Sequence, residues 1–235
     1  MTRPEGLWPD GADVAYQRAR TELWLAERDL RDALEAVAAA RRALPPGASL
    51  PEYALREGPA DLGLDEPEET RALVDLFGDH GTLVVYHLMF EAGAASACPM
   101  CSMWVDGLHG VSHHLARHTA FAVVAEAGTP ELRAWGRRRG WDGLRLVSAG
   151  GTSFGRDLGA VRPDGSTRPG VSVLLRDGDW VRHGYTVFAD WSDEDKERGI
   201  DLLSPVWQVL DLLPGGRGDW YAANDYAGRL RGDRR

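Results

Sequence analysis

Apolar residues recur every seven positions from Tyr16 through Leu23, Leu30 and Val37 to Leu44, with Ala19, Ala26, Ala33 and Ala40 on the adjoining seam. That spacing predicts one long helix from about Val14 to Leu44. Over four heptads it forms a coiled-coil-type stripe in which small alanines allow a partner helix to approach closely. Pro45-Pro46-Gly47 ends it. The stripe suits either docking on the chain's own domain or pairing of two copies into a homodimer, and periodicity alone leaves both open.

Residues 46–80 are rich in proline, glycine and acidic pieces such as Asp65-Glu66-Pro67-Glu68-Glu69, and read as a connector. Within it, Thr70 to Phe77 is expected to form a short helix with Leu73, Leu76 and Phe77 facing inward. Beyond residue 80 the pattern changes period. Leu83 to Phe90 is an apolar run with β-branched and aromatic members, the mark of a buried strand. A helix from Pro99 to about Arg117 follows, then a strand at Ala120–Ala125, a helix from Pro130 to Arg139 and a short strand at Leu144–Val147. After an irregular glycine-rich segment, Val171–Leu175 and Trp180–Val187 make a hairpin across Arg176-Asp177-Gly178-Asp179. Asp193-Glu194-Asp195 caps a last helical segment carrying Ile200, Leu203, Val206, Trp207 and Leu210, and Arg229–Arg235 is expected to fray. Alternating strands and helices followed by a hairpin imply an α/β fold, a mixed central sheet with helices on both faces.

Composition narrows the class. A 235-residue chain with 43% hydrophobic residues and nine tryptophans can bury a substantial core. No run of 18 apolar residues exists, so no membrane span is expected. The first residues lack the apolar stretch of a secretory signal, which points to a cytoplasmic protein. A net charge of −9 argues against a nucleic-acid partner, because phosphate binding needs a basic face.

The chemistry centres on Cys98-Pro99-Met100-Cys101, the two cysteines of the chain, which follow the strand after a short loop. Proline suits the first position of a helix, where its missing N–H costs nothing. Cys98 would then stand at the positive end of the dipole, with Cys101 one turn on along the same face. A thiol so placed ionises far below its ordinary pKa of about 8.5, and a second thiol one turn away can release a mixed disulfide. Strand, cysteine pair and helix in that order open a thioredoxin-like redox unit.

Two other readings stand beside the dithiol. His114 and His118 follow at zinc-finger spacing, with Val105 and Val111 in the usual apolar slots, so zinc is one alternative. The other is an inert pair of small buried hydrophobes. A histidine near the thiolate would serve as proton shuttle, but spacing does not choose among His87, His109, His113, His114 and His118. His87, in mid-strand, reads as a satisfied core histidine. Arg168-Pro169-Gly170 directly precedes the strand at Val171. In a thioredoxin-like chain order a cis proline belongs there, facing the cysteines and able to pair with an extended substrate. Gly150-Gly151 through Gly155 lacks the Lys-Ser/Thr of a phosphate loop, and Arg137-Arg138-Arg139 reads as a solvated helix end.

The string Val85-Tyr86-His87-Leu88-Met89-Phe90, then Cys98-Pro99-Met100-Cys101-Ser102-Met103-Trp104-Val105-Asp106-Gly107, resembles a bacterial thioredoxin-like family of unknown function described as predicted dithiol–disulfide oxidoreductases. Gly140-Trp141, Phe154, Asp157, Gly159, Pro169-Gly170-Val171-Ser172-Val173 and Leu210-Asp211-Leu212-Leu213-Pro214-Gly215-Gly216-Arg217 extend the likeness over most of the chain. It implies a thioredoxin fold of the peroxiredoxin-like branch, with Cys98 as nucleophile, Cys101 as resolving cysteine and Pro169 as the cis proline. Thr152-Ser153-Phe154-Gly155-Arg156-Asp157-Leu158-Gly159 departs from the Ser-Asp-Phe-Asn-x-Asp-Phe-Gly expected of the family, which bears on substrate choice.

The expectation is therefore a helical arm over 1–45, a connector over 46–80, a thioredoxin-like domain over 81–226 and a tail over 227–235. The expected activity is thiol–disulfide exchange on a disulfide-containing protein or small thiol substrate, with an external dithiol as reductant and no bound cofactor. Proline after the first cysteine is shared with glutaredoxin-like pairs and suggests a less reducing potential than thioredoxin. One rival is a peroxidase, although Ala95 stands where peroxiredoxins carry a threonine, three residues before the nucleophile. The other is a non-enzymatic module binding zinc or a protein partner.

Overall fold

Helix α1 (Val14–Arg42) begins where the Asp13 carboxylate accepts from the Tyr16 N–H at 2.7 Å, satisfying one of the donors a helix start leaves over. Arg41 and Arg42 in its last turn complement the dipole, and Arg20 pairs with Glu27 at 3.1 Å. The helix matches the heptad reading. In this computed structural model, which describes residues 5–189, 203–218 and 220–226, α1 belongs to a compact unit spanning residues 1–45. Residues 46–235 make the second unit.

Among the described residues the second unit carries seven strands in one mixed sheet: β1 (Leu55–Glu57), β2 (Glu69–Arg71), β3 (Thr82–His87), β4 (Ala120–Ala125), β5 (Arg145–Ser148), β6 (Gly170–Asp177) and β7 (Trp180–Phe188), ordered β2-β1-β5-β4-β3-β6-β7. β3, β4 and β5 run parallel, which demands crossovers. Helices α2 (Pro99–Leu115) and α3 (Thr129–Arg139) supply them. β6 returns antiparallel beside β3, and β7 pairs with β6 across the turn at Gly178, whose φ of 64° suits glycine. The run β4-β3-β6-β7, with a cysteine-bearing helix after β3, is the thioredoxin arrangement. The fold is thioredoxin-like, as the sequence pattern implied.

Period-two alternation along the strands separates two cores. Tyr86 and Leu88, Val123 and Ala125, and Leu146 turn to one face, where Met100 and Trp104 of α2, Leu132 and Trp135 of α3, Trp141 and Trp207 cover them. Leu83, Val85, Ala122, Val124 and Val147 turn to the other, under Tyr53, Leu73, Leu76, Phe77, Phe154 and Leu158. Trp141 is fully buried, and its Nε1–H donates to Asp106 Oδ1 at 2.8 Å, so the ring enters the core without an unpaired donor.

Residues 46–80 do more than connect. Glu57, nearly buried, accepts from Arg145 Nε at 2.8 Å and from Arg71 Nε at 3.2 Å, so one carboxylate ties β1 to both its neighbours. The helix expected over Thr70–Phe77 is instead β2 followed by a 3-10 helix at Leu73–Phe77, because Glu69–Arg71 pairs with Leu55–Glu57. Leu73, Leu76 and Phe77 do face inward. A short helix α4 (Phe154–Asp157), absent from the sequence reading, seats Phe154 against Tyr53. Of the last predicted helical segment, α5 (Pro205–Leu210) is seen. Its proposed cap at residues 193–195, and the end at 227–235, lie outside the described residues. No helix among the described residues is long and apolar enough to cross a membrane.

Candidate active site

The chain leaves β3 without leaving the sheet at once. Leu88 N–H donates to Val124 O at 2.9 Å and Ala127 N–H to Phe90 O at 2.8 Å, so the expected strand to Phe90 persists as a ladder past the regular element. The loop then doubles back, with Gly93 at φ 77°, and closes when Cys98 N–H donates to Met89 O at 2.9 Å. Cys98 is the N-cap of α2 and Pro99 its first residue. The Cys98 carbonyl accepts from Ser102 N–H at 2.9 Å and from Ser102 Oγ at 3.0 Å. Ser102 Oγ in turn accepts from buried Trp135 Nε1 at 3.2 Å. On the other side Asn224 Nδ2 donates to Ala97 O at 3.0 Å, and Arg139 Nη1 holds Asn224 O at 2.8 Å. Both carbonyls flanking the start of α2 are thus fixed.

The two thiols are free, and their surroundings differ. Cys98 is half-buried, whereas Cys101 is 1% exposed. The Cys98 pKa falls to about 6, first because the Cys101 thiol donates to its sulfur, then because the amides of Cys101 and Met100 point at it, burial opposing. Those amides stand in the N-cap direction but short of regular hydrogen-bond geometry. The helix terminus contributes as the sequence reading supposed, but the neighbouring thiol comes first. Cys101 moves the opposite way, raised by its contact with Cys98 and by burial. Beneath it lies Tyr86, whose hydroxyl is fully buried and whose own pKa is pushed up by burial and by the Cys101 and Cys98 sulfurs.

At pH 7 a pKa near 6 makes Cys98 about 90% thiolate against about 1% for an unperturbed thiol near 9. Lower basicity gives back roughly 16- to 32-fold of that gain as weaker intrinsic nucleophilicity. Attack therefore gains only a few-fold. The larger effect is on Cys98 as a leaving group and on the reduced state, which the thiolate stabilises.

Pro169 reaches the cysteine end of the sheet, because Gly170 pairs with His87 at the close of β3. Its peptide bond is not cis, for no described residue has one. The trans bond leads the chain extended into β6, where Pro169 O accepts from Ala189 N–H at 3.1 Å. The zinc-finger spacing does not close. His114 lies thirteen residues beyond Cys101 on one continuous helix, about 20 Å away at 1.5 Å per residue. Among the described residues no group of three or more His, Cys, Asp or Glu could hold a metal ion.

His87 turns to the opposite sheet face, near Phe154 and hydrogen-bonded to Ser172 Oγ at 2.7 Å, so it cannot serve the cysteines. His109 bonds Asp142 O at 3.0 Å, and the rings of His113 and His114 meet at a 41° tilt near the far end of α2. The departing segment at 152–159 packs Phe154 and Leu158 into the core on the face away from Cys101. Tyr86 and Asn224 were not singled out from the sequence. The available signal for Tyr86 was a hydroxyl on the apolar face of β3 in step with Leu88 and Phe90.

A family model described as bacterial protein of unknown function, DUF899, matches residues 9–230. The chain belongs to that family. Among solved structures, this DUF899 chain is similar to a Burkholderia cenocepacia protein provisionally assigned as a thioredoxin reductase, at 18% identity and TM-score 0.46, covering 69% of this chain and 97% of that one. It is also similar to reduced Prx3 of Vibrio vulnificus in complex with hydrogen peroxide, at 15% identity and TM-score 0.43 over 61% and 86% of the two chains. A reduced 2-Cys peroxiredoxin of Plasmodium vivax matches at 13% identity and TM-score 0.46 over 67% and 95%. At this level of similarity neither activity nor residue roles transfer. Among curated proteins no relative matches the chain.

Proposed function

We propose that the protein is a thiol–disulfide oxidoreductase of the cytoplasm acting through Cys98 and Cys101. The observation that carries this reading is the contrast within the pair: a half-exposed sulfur with pKa about 6 at a helix start, and a buried, protonated sulfur one turn behind it. The Cys98 thiolate attacks one sulfur of a substrate disulfide, the substrate S–S bond breaks, and the leaving thiolate takes a proton from solvent. Cys101 then attacks the Cys98 sulfur, forming the Cys98–Cys101 disulfide and releasing the second substrate thiol. An external dithiol restores the pair by the reverse exchange. Gly170 pairs with His87 at the cysteine end of the sheet, and this supports a role for the backbone at Pro169 in meeting an extended substrate.

The test is reduction of a protein disulfide by dithiol with the protein as intermediary. Cys98→Ser abolishes turnover. Cys101→Ser leaves one attack and accumulates a mixed disulfide visible by mass. Turnover unaffected by Cys98→Ser contradicts the proposal. Consumption of peroxide that depends on Cys98, without disulfide reduction, assigns the site to a peroxidase instead.

A further inference from the structure

Resolution of a mixed disulfide needs Cys101 to lose its proton inside the core, where Tyr86 brings a buried hydroxyl without a regular hydrogen-bond partner. Tyr86 sits at the centre of the sheet, between Val123 of β4 and Val171 of β6, and is fully buried. Its hydroxyl makes no hydrogen bond of regular geometry to any nitrogen, oxygen or sulfur. Burying a hydroxyl unpaired costs stability, and phenylalanine would fill the same space without that cost. Tyr86 and Cys101 are packed in the same buried cluster, and the Cys101 sulfur is foremost among the side chains acting on the hydroxyl.

We propose that the Tyr86 hydroxyl donates the hydrogen bond that steadies the Cys101 thiolate as it attacks the mixed disulfide. The proposal rests on the exchange reaction above. In the reduced pair, Cys98 dominates the surroundings of Cys101, because the Cys101 thiol donates to the Cys98 thiolate and feels its charge. Once Cys98 is bound to substrate, that negative charge is gone. What remains against ionisation is burial, and what remains in its favour is the Met89 amide and the Tyr86 hydroxyl. Cys98 and Tyr86 are the titratable groups acting on Cys101, and the flanking strand residues Val123 and Val171 carry no charge. As the new S–S bond forms, the Cys98–substrate bond breaks. The proton Cys101 gives up ends on the departing substrate thiolate, and Tyr86 keeps its own.

The experiment uses the full chain and 5,5′-dithiobis(2-nitrobenzoate). Attack by Cys98 releases one thionitrobenzoate, and attack by Cys101 on the resulting mixed disulfide releases a second. Tyr86→Phe leaves the first release unchanged and slows the second about ten- to a hundredfold at neutral pH, the size expected of a hydrogen bond to a charged group. A second release at the wild-type rate, or equal slowing of both, overturns the proposal. Placing 3-fluorotyrosine at position 86 keeps the hydroxyl, makes it a stronger donor and speeds the second release. Titration of Cys101 in Cys98→Ser, with and without Tyr86→Phe, stands apart from any exchange activity. Tyr86→Phe moves that titration to higher pH, and an unmoved titration overturns the contact even if the protein proves to catalyse no exchange.

Discussion

The Cys101 thiol donates to the Cys98 sulfur across one turn of α2, and this contact outweighs the helix amides in lowering the Cys98 pKa to about 6. The two residues are thus set apart by each other, one made acidic and the other held protonated.

It follows that Cys101→Ala raises the Cys98 titration from about 6 toward the ordinary thiol range, while Cys101→Ser, which keeps a donor, raises it less. Alkylation rate against pH reads both. A titration unchanged in Cys101→Ala would assign the acidity to the helix terminus alone.

Ser102 links the cysteine turn to α3, giving its hydroxyl to Cys98 O and receiving Trp135 Nε1. Ser102→Ala leaves a buried indole N–H unpaired and costs about 1–3 kcal/mol, read as a lower urea midpoint with unchanged slope.

Burial lowers the His87 pKa to about 4, so the ring is neutral in the folded protein near pH 7. Between pH 6.5 and about 4 the unfolded chain binds a proton that the native protein does not, so stability rises with pH across this window. His87 is responsible for up to about 3 kcal/mol of that change. His87→Gln, which can still bond Ser172, flattens the dependence of stability on pH by one proton between pH 4 and 6.5. An undiminished slope would place the proton elsewhere.

A Cβ on Gly170 would stand 2.8 Å from the Val187 carbonyl and 2.5 Å from the Phe188 ring. Backbone cannot yield there as a flexible side chain can. Gly170→Ala therefore costs about 1–3 kcal/mol by overpacking, measured by denaturation, and shifts the chain entering β6 after Pro169.

The same position shows where sequence reading reaches its limit. Pro169-Gly170 is legible as a break before a strand, but Gly170 is set by crowding from β7, eighteen residues away along the chain, and Arg168–Pro169 is trans where chain order suggested cis. Strands β3 to β7 and helices α1 to α3 were legible because heptad spacing, apolar runs, Pro99 at a helix start and the turn at Asp177-Gly178 mark them locally. β1 and β2 were not, since three-residue strands held by Glu57, Arg71 and Arg145 have no period to read. The cysteine pair was legible through Pro99 at the helix start. Tyr86 was not, because an apolar strand containing one phenol looks the same whether or not a sulfur lies beneath it.

The most direct test of the account is equilibration of the purified protein in graded glutathione buffers, with the thiol–disulfide state read by mass after alkylation. The account predicts a single two-electron transition between dithiol and Cys98–Cys101 disulfide, at a potential less reducing than about −270 mV because the Cys98 thiolate stabilises the reduced form. Two thiols that stay reduced across the whole range, or form only mixed disulfides with glutathione, would contradict it.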